Sequence, residues 1–129
     1  MDRRPYDIRE RCYLFTRDVV AFCRTASKVG DFVLRRLIVQ LVDAAGSVGA
    51  NLEEADDGQS KADFISKNCI ALKEIRETRF WLRQVRDAEP RLAQAANPLI
   101  DEAEQIKKIL RTIVVRAKEK RSDRGPGSL

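Results

Sequence analysis

The amino-acid sequence predicts an all-α protein, an antiparallel up-down-up-down four-helix bundle in one domain. The first observation is hydrophobic periodicity, because apolar residues recur at steps of three and four along four long segments, as on one face of an amphipathic helix. The second is the scarcity of helix breakers, with only 6 glycines and 4 prolines in 129 residues. Long helices joined by short connections pack antiparallel to their sequence neighbours, which gives this architecture.

Capping residues and helix breakers set the expected helix ends. Asp7, Asp31 and Ser60 carry side-chain oxygens suited to cap the first three helices. Asn97 and Pro98 suit the N-cap and the first position of the fourth helix. The predicted helices cover residues 7–27, 31–56, 60–88 and 98–120.

The connection before the fourth helix and the end of the chain are the least regular segments. Residues 89–97 stay ambiguous, because Pro90 and Pro98 bracket a stretch that can form one helical turn. The bundle is expected to occupy residues 1–121. Residues 122–129 are polar and glycine-rich and are predicted to form a disordered tail.

Two of the predicted helices carry more apolar residues than a single core-facing side needs. The fourth helix keeps the heptad steps of left-handed bundle packing, and Ile109 and Val114 widen that seam. In the second helix, Val33 and Val39 lie outside an already broad stripe. This surplus predicts burial on more than one side. The seam residues of the fourth helix are Leu99, Ala103, Ile106, Leu110, Ile113 and Ala117.

The composition argues against metal and acid–base chemistry. The chain has no histidine, the commonest general base and transition-metal ligand. Cys12, Cys23 and Cys69 lack zinc-ligand spacing and are expected to be free, buried thiols. No glycine-rich phosphate loop follows a strand. We therefore expect no catalytic residue, no metal and no cofactor. An enzyme would need arginine, lysine and glutamate side chains converging inside the bundle.

The chain carries no sign of membrane insertion or export. No apolar run approaches the ~20 residues that span a bilayer, and no apolar segment follows the charged N-terminus. Together with the unpaired cysteines, this predicts a cytoplasmic protein.

Two groups of basic residues are candidate nucleic-acid contacts in a chain of net charge +5. Arginine on a rigid helix suits phosphate oxygens. The alternatives are ion pairing of the first group with neighbouring acids, and stabilisation of a helix C-terminus by the second. The first group lies along the third helix, at Lys73, Arg76, Arg79, Arg83 and Arg86. The second lies near the C-terminus, at Arg116, Lys118, Lys120 and Arg121.

The second half of the second helix combines small and acidic residues. Gly46 and Gly49 each cost about 1 kcal/mol relative to alanine and predict close approach of a neighbouring helix. The acidic residues at positions 53, 54, 56 and 57 lie at a helix C-terminus, where negative charge is unfavourable. They mark either a site or interface, or a solvated helix end.

Several short motifs together resemble a known bacterial family. The chain resembles proteins encoded in intervening sequences of 23S ribosomal RNA genes. This resemblance covers residues 6–118. The motifs are Tyr6-Asp7-Ile8, Ser47-Val-Gly-Ala-Asn-Leu-Glu-Glu-Ala, Ser60 with Asp63-Phe64, Leu72-Lys-Glu, Glu77-Thr78 and Trp81-Leu82.

The resemblance implies an up-down bundle that assembles as a homopentamer. The family is similar in fold to the accessory variability proteins of diversity-generating retroelements, which bind nucleic acid and a reverse transcriptase through basic surface. The implied partners are therefore further copies of the chain, RNA or DNA, and a reverse transcriptase or other protein. The residues that match the family pattern are interpreted as packing positions and polar pins. They are Ser47, Gly49, Asn51, Glu53, Glu74, Glu77 and Trp81.

The leading hypothesis is a non-enzymatic, oligomeric helical protein that binds RNA or DNA through basic helix faces. The alternative is a protein-interaction scaffold or accessory subunit, with residues 46–64 and the ends of the bundle as its contact surface.

Overall fold

The protein is all-α, as a computed structural model that describes residues 7–57 and 60–123 shows. A single turn of 3-10 helix, Pro90–Leu92, precedes the last of four α-helices, and these described residues include no strand. The all-α class and the number of helices are confirmed. The helices are α1 (Ile8–Val29), α2 (Phe32–Asp56), α3 (Lys61–Ala88) and α4 (Ala93–Asp123).

The first three helices begin where their capping residues predict. The Asp7 carboxylate accepts a hydrogen bond from the backbone N–H of Arg9 at 2.9 Å. Asp31 does the same for Leu34 at 3.0 Å, and the Ser60 hydroxyl accepts from the N–H of Asp63 at 3.0 Å. Each side chain satisfies a backbone donor that the first turn leaves without an intrahelical partner.

The predicted start of the fourth helix is wrong. The helix begins at Ala93 rather than residue 98, so Pro98 lies inside α4 and is not its first residue. An interior proline removes one ladder hydrogen bond and usually costs about 3 kcal/mol. Burial offsets that cost here, because Leu92, Ala96 and Ile100 follow one another at steps of four and are all buried.

The C-terminal boundary also differs from the expected one. Residues 122 and 123, assigned to a disordered tail from sequence, belong to α4. Residues 124–129, and likewise the first six residues, lie outside the described part of the chain.

The four helices enclose one hydrophobic core. They follow one another around it in chain order, with α2 packed along α3, α3 along α4, and α1 against both α2 and α4. The surplus apolar residues have different fates. Val114 is buried and Ile109 is partly buried, whereas Val33 and Val39 on α2 are exposed. Val42, expected on the core-facing stripe of α2, is also exposed. The largest side chains without solvent exposure are Leu41, Ile75, Leu82, Ile106 and Leu110.

The glycines of α2 are not required by packing within this chain. A Cβ atom at Gly46 would meet nothing within 4 Å, and one at Gly49 would meet only the Thr16 hydroxyl at 3.9 Å. The expected close approach of a neighbouring helix at these glycines is therefore absent within the described residues. Instead, the Thr16 hydroxyl donates to the backbone carbonyl of Ala45 at 3.0 Å and joins α1 to α2.

Two of the three cysteines are buried as predicted, and all three are free. Burial raises the pKa of the Cys12 and Cys23 thiols to about 12, so both stay protonated at neutral pH. The prediction is wrong for Cys69, which is only half-buried because it flanks the apolar stripe of α3.

Candidate nucleic-acid interface on α3 and α4

The predicted basic stripe of α3 divides into paired and unpaired side chains. Lys73 lies 3.8 Å from the carboxylate of Glu74, on its own helix. Arg79 reaches Glu104 on α4 at 3.1 Å. By contrast, Arg76 and Arg83 are exposed and form no ion pair with any described residue. The ion-pairing alternative therefore accounts for part of the stripe only.

Arg86 joins α3 to the start of α4. Its guanidinium donates to the carboxylate of Asp87 at 2.9 Å and to the side-chain carbonyl of Asn97 at 3.2 Å. The hydrogen bond from Arg86, assisted by the charges of Arg86 and Arg83, lowers the pKa of the Asp87 carboxyl below its ordinary value. This acid bounds the basic stripe at the C-terminal end of α3.

Two cations form ion pairs with one carboxylate between α3 and α4, and Lys108, four residues after that carboxylate, adds a third positive charge nearby. Glu104 lies 3.1 Å from Arg79 and 2.9 Å from Lys107. The pKa of the Glu104 carboxyl is lowered below its ordinary value. The main cause is the hydrogen bond from Lys107, and the charges of Lys107, Arg79 and Lys108 add to it. One negative charge cannot neutralise three positive ones, so this site keeps surplus positive charge.

Helical spacing extends this cluster into a continuous surface. Arg76 and Arg83 lie three residues before and four after Arg79, and therefore on the same side of α3. Arg111 lies four residues after Lys107 and three after Lys108, on the same side of α4. We call this surface the α3–α4 basic face. Its residues are Arg76, Arg79, Arg83, Lys107, Lys108 and Arg111.

The second predicted basic group does not form one face. Arg116, Lys118 and Lys120 are exposed, but steps of two place successive residues on opposite sides of a helix. Lys118 follows Arg111 by seven residues and continues the α3–α4 basic face. Arg116 and Lys120 share a different side of α4. The side chain of Arg121 lies outside the described part of the structure.

The polar pins expected on α2 bond within that helix. The Asn51 amide donates to the backbone carbonyl of Ser47 at 2.8 Å and to the Ser47 hydroxyl at 3.2 Å. Glu53, another family-pattern residue, is exposed. The Ser47–Asn51 contact supports the helix locally and does not reach a neighbouring one.

The pins expected on α3 lie closer to the core. The Glu74 side chain is only 16% exposed, and burial, followed by the hydrogen bond and charge of Glu77, raises its pKa above the ordinary value. Thr78 is fully buried, and its hydroxyl donates to the Glu74 backbone carbonyl at 2.7 Å. Trp81 packs its partly buried ring against the core.

The acidic end of α2 is held by basic residues of other helices. Asp56 forms an ion pair with Arg9 of α1, and Glu54 lies 2.8 Å from the Lys67 ammonium of α3. Both pairs favour the solvated helix end over a dedicated site. A cleft of about 120 Å³ lies at the same end, lined in part by Ile8, Phe64 and Asn68.

Sequence reasoning missed Asn68, which is buried and donates to the backbone carbonyl of Phe64 at 2.9 Å. It also missed Lys107, Lys108 and Arg111. Their spacing of three and four residues indicates that they share one side of α4. Only the packing of α4 on α3 shows that this side belongs to the same surface as Arg79.

Metal-binding clusters and membrane-spanning helices are both absent from the described part of the chain. Among residues 7–57 and 60–120, no three histidine, cysteine, aspartate or glutamate side chains are grouped to hold a metal ion. No helix among these residues is both long and apolar enough to cross a membrane.

Comparison with known proteins places this arrangement in a family. The sequence profile described as 23S rRNA-intervening sequence protein matches residues 4–112. The chain belongs to this family. The family resemblance expected from the sequence motifs is thus confirmed.

A solved structure extends the likeness of this 23S rRNA-intervening sequence protein to three dimensions. It is the crystal structure of a protein with unknown function from the S23 ribosomal protein family of Bacteroides thetaiotaomicron. The two chains are 29% identical and superpose with a TM-score of 0.75, over 84% of this chain and 98% of the other. No curated protein matches the sequence.

Proposed function

We propose that this 23S rRNA-intervening sequence protein acts by binding, not by catalysis, and that its α3–α4 basic face binds nucleic acid. The observation that carries the proposal is the pairing of Arg79 and Lys107 with the single carboxylate of Glu104, with Lys108 exposed beside them. The surplus charge attracts polyanions. Arg76 and Arg83 add exposed guanidinium groups, and among the described residues only that of Arg83 acts on a nearby acid, the Asp87 carboxylate.

The arrangement suits phosphate contacts for two reasons. Guanidinium groups present paired donors that match phosphate oxygens. The basic side chains also project from two packed helices, so their spacing is set before a ligand arrives. Arg76 and Arg83 lie two turns apart, about 10 Å along α3. Such contacts position a nucleic-acid backbone and carry no base preference by themselves.

Salt dependence of binding tests this proposal. Affinity of the purified protein for a structured RNA should fall about 100-fold between about 50 and 200 mM salt, as expected for roughly four phosphate contacts. Fluorescence anisotropy of a labelled RNA measures it. Absence of binding even at the lowest salt concentration would contradict the proposal.

We also propose that neighbouring helices are antiparallel in an up-down-up-down order. Two contacts support this order, because each lies away from the connection between two consecutive helices. Arg9 near the start of α1 pairs with Asp56 at the end of α2. Arg79, which lies well before the end of α3, pairs with Glu104, which lies a similar distance after the start of α4.

Self-association completes the proposal, with the homopentamer implied by the family resemblance as the expected assembly. The outer side of α2 supports it, because Phe32, Val33 and Val39 are all more than half exposed. Gly46 lies on the same helix with open space in front of it. A second copy would remove this apolar surface from water.

Substitution of Val39 tests self-association. Light scattering should give the wild-type protein a mass several times the 14.7 kDa of one chain. Val39→Lys should lower that mass, because a buried ammonium without a partner opposes the interface. Val115→Lys, which changes an exposed valine of α4, is the matched control and should leave the mass unchanged. A monomeric wild-type protein would contradict the proposal.

The exposed apolar surface of α2 also favours a second candidate function, a protein-interaction scaffold in the cytoplasm. The partner would be a reverse transcriptase or another protein, as the family resemblance implies. The free thiols of Cys12 and Cys23 support a reducing compartment. A protein partner that stays bound after nuclease treatment would favour this candidate over nucleic-acid binding.

A further inference from the structure

An exposed aromatic ring lies within the α3–α4 basic face. Phe80 is 47% exposed, although phenylalanine is usually buried. It lies four residues after Arg76 and three before Arg83, so both arginines are its neighbours along the surface of α3. Solvent exposure, surrounding positive charge and an aromatic face thus coincide at one position.

The Phe80 ring is held in place from within the protein. Its neighbour Trp81 packs against the core, and the two rings meet edge to face with centroids 4.9 Å apart and an interplanar angle of 82°. This is a favoured geometry for aromatic pairs. A ring fixed in this way loses little conformational freedom when a planar group stacks on it.

We propose that the α3–α4 basic face takes single-stranded nucleic acid, with an unpaired base stacked on Phe80 and the flanking phosphates on Arg76 and Arg83. This inference rests on the proposed nucleic-acid binding and adds the strand class that the site recognises. Stacking needs an accessible base face, which an unpaired strand offers and a duplex conceals. Phosphate contacts alone would accept either form.

The alternative occupants of Phe80 fit the surface less well. An apolar partner would have to bury Arg76 and Arg83 without an acid of its own to pair them, and burying unpaired charge is unfavourable. A nucleic-acid strand supplies both a planar ring and negative charge. The chemistry of the surface therefore favours the strand.

Three substitutions separate stacking from charge and from fold. Phe80→Leu keeps an apolar side chain but removes the ring, whereas Phe80→Tyr keeps the ring. Tyr13→Leu is the matched control, because Tyr13 is also an exposed aromatic residue, but it lies on α1, outside the α3–α4 basic face. The probes are a short single-stranded RNA, the DNA strand of the same sequence, and the duplex that each forms with its complement.

We expect Phe80→Leu to bind both single strands about tenfold more weakly than the wild-type protein, since one base–aromatic stack contributes about that factor. Its affinity for the duplexes and the slope of its salt dependence should be unchanged. Phe80→Tyr and Tyr13→Leu should bind single strands as the wild-type protein does. Trp81 is the only tryptophan of the chain. Its fluorescence should therefore change when a single strand binds and stay constant when a duplex binds.

The outcomes distinguish this inference from the proposed function. If the wild-type protein binds nucleic acid and Phe80→Leu matches it on single strands, stacking is refuted while nucleic-acid binding stands. If Phe80→Leu weakens duplex binding equally, or lowers the mass measured by light scattering, Phe80 supports the fold or the assembly, and the inference is again refuted. If the wild-type protein binds none of the probes, both proposals fail.

Discussion

Replacement of Leu82 by alanine should lower the free energy of unfolding by about 2–5 kcal/mol, the usual range for a fully buried leucine. Leu82 has no solvent exposure and lies in the last third of α3, which packs against both α2 and α4. Its removal deletes apolar contacts and leaves a cavity that three helices cannot close without moving. A domain of this size is stable by about 5–15 kcal/mol, so the loss is a large part of the total.

Equilibrium unfolding in urea, followed by circular dichroism, measures the Leu82 effect as a lower midpoint at unchanged slope. Gln84→Ala is the control, because Gln84 is exposed on the same helix and its substitution should change the free energy of unfolding by less than about 0.5 kcal/mol. A loss below about 1 kcal/mol for Leu82→Ala would show that this core can repack around the missing side chain.

Alanine at Arg76, Arg83, Lys108 and Arg111 together should weaken nucleic-acid binding by about 100-fold at low salt. All four side chains are exposed, and they border the cluster at Glu104 without being its ion-pair partners. Their removal should therefore leave the fold intact. The slope of log affinity against log salt should become shallower by about 3, since each lost phosphate contact removes somewhat less than one unit.

A second quadruple variant separates the position of charge from its amount. Alanine at Arg24, Lys28, Arg35 and Arg36 removes the same number of positive charges from exposed positions of α1 and α2. This variant should keep most of the wild-type affinity and slope. Equal losses in the two variants would show that net charge alone attracts the nucleic acid and would contradict a defined face on α3 and α4.

The fold was largely predictable because helical periodicity is a local property of the sequence. The heptad seam of α4 identified Ala103, Ile106 and Leu110, all of which are fully buried. The caps Asp7, Asp31 and Ser60 were equally readable, because each bonds a residue two or three positions later. The start of α4 was not readable. The local sequence predicts that the helix begins at Pro98. The helix instead begins earlier, at Ala93, because Leu92 and Ala96 are buried in the core.

The candidate site was only partly predictable, because it depends on which helix sides meet. Sequence spacing grouped Arg76, Arg79 and Arg83 but could not show that Arg79 alone of these three is drawn to α4 by Glu104. It likewise could not assign Lys107 and Lys108 to the same surface. Phe80 could be seen as apolar, but only its exposure distinguishes it from the core residues around it.

Pro98 also affects how α4 moves. Proline has no backbone N–H, so the carbonyl four residues earlier, that of Gln94, lacks its ladder partner and the helix hydrogen bonds are interrupted near its first turn. Residues 93–97 thus have one ladder hydrogen bond fewer to the remainder of α4, while the buried side chain of Ala96 holds them to the core and the Arg86–Asn97 contact holds them to α3. The first turn of α4 is therefore expected to open more readily than the rest of the helix, which stays wound against the core.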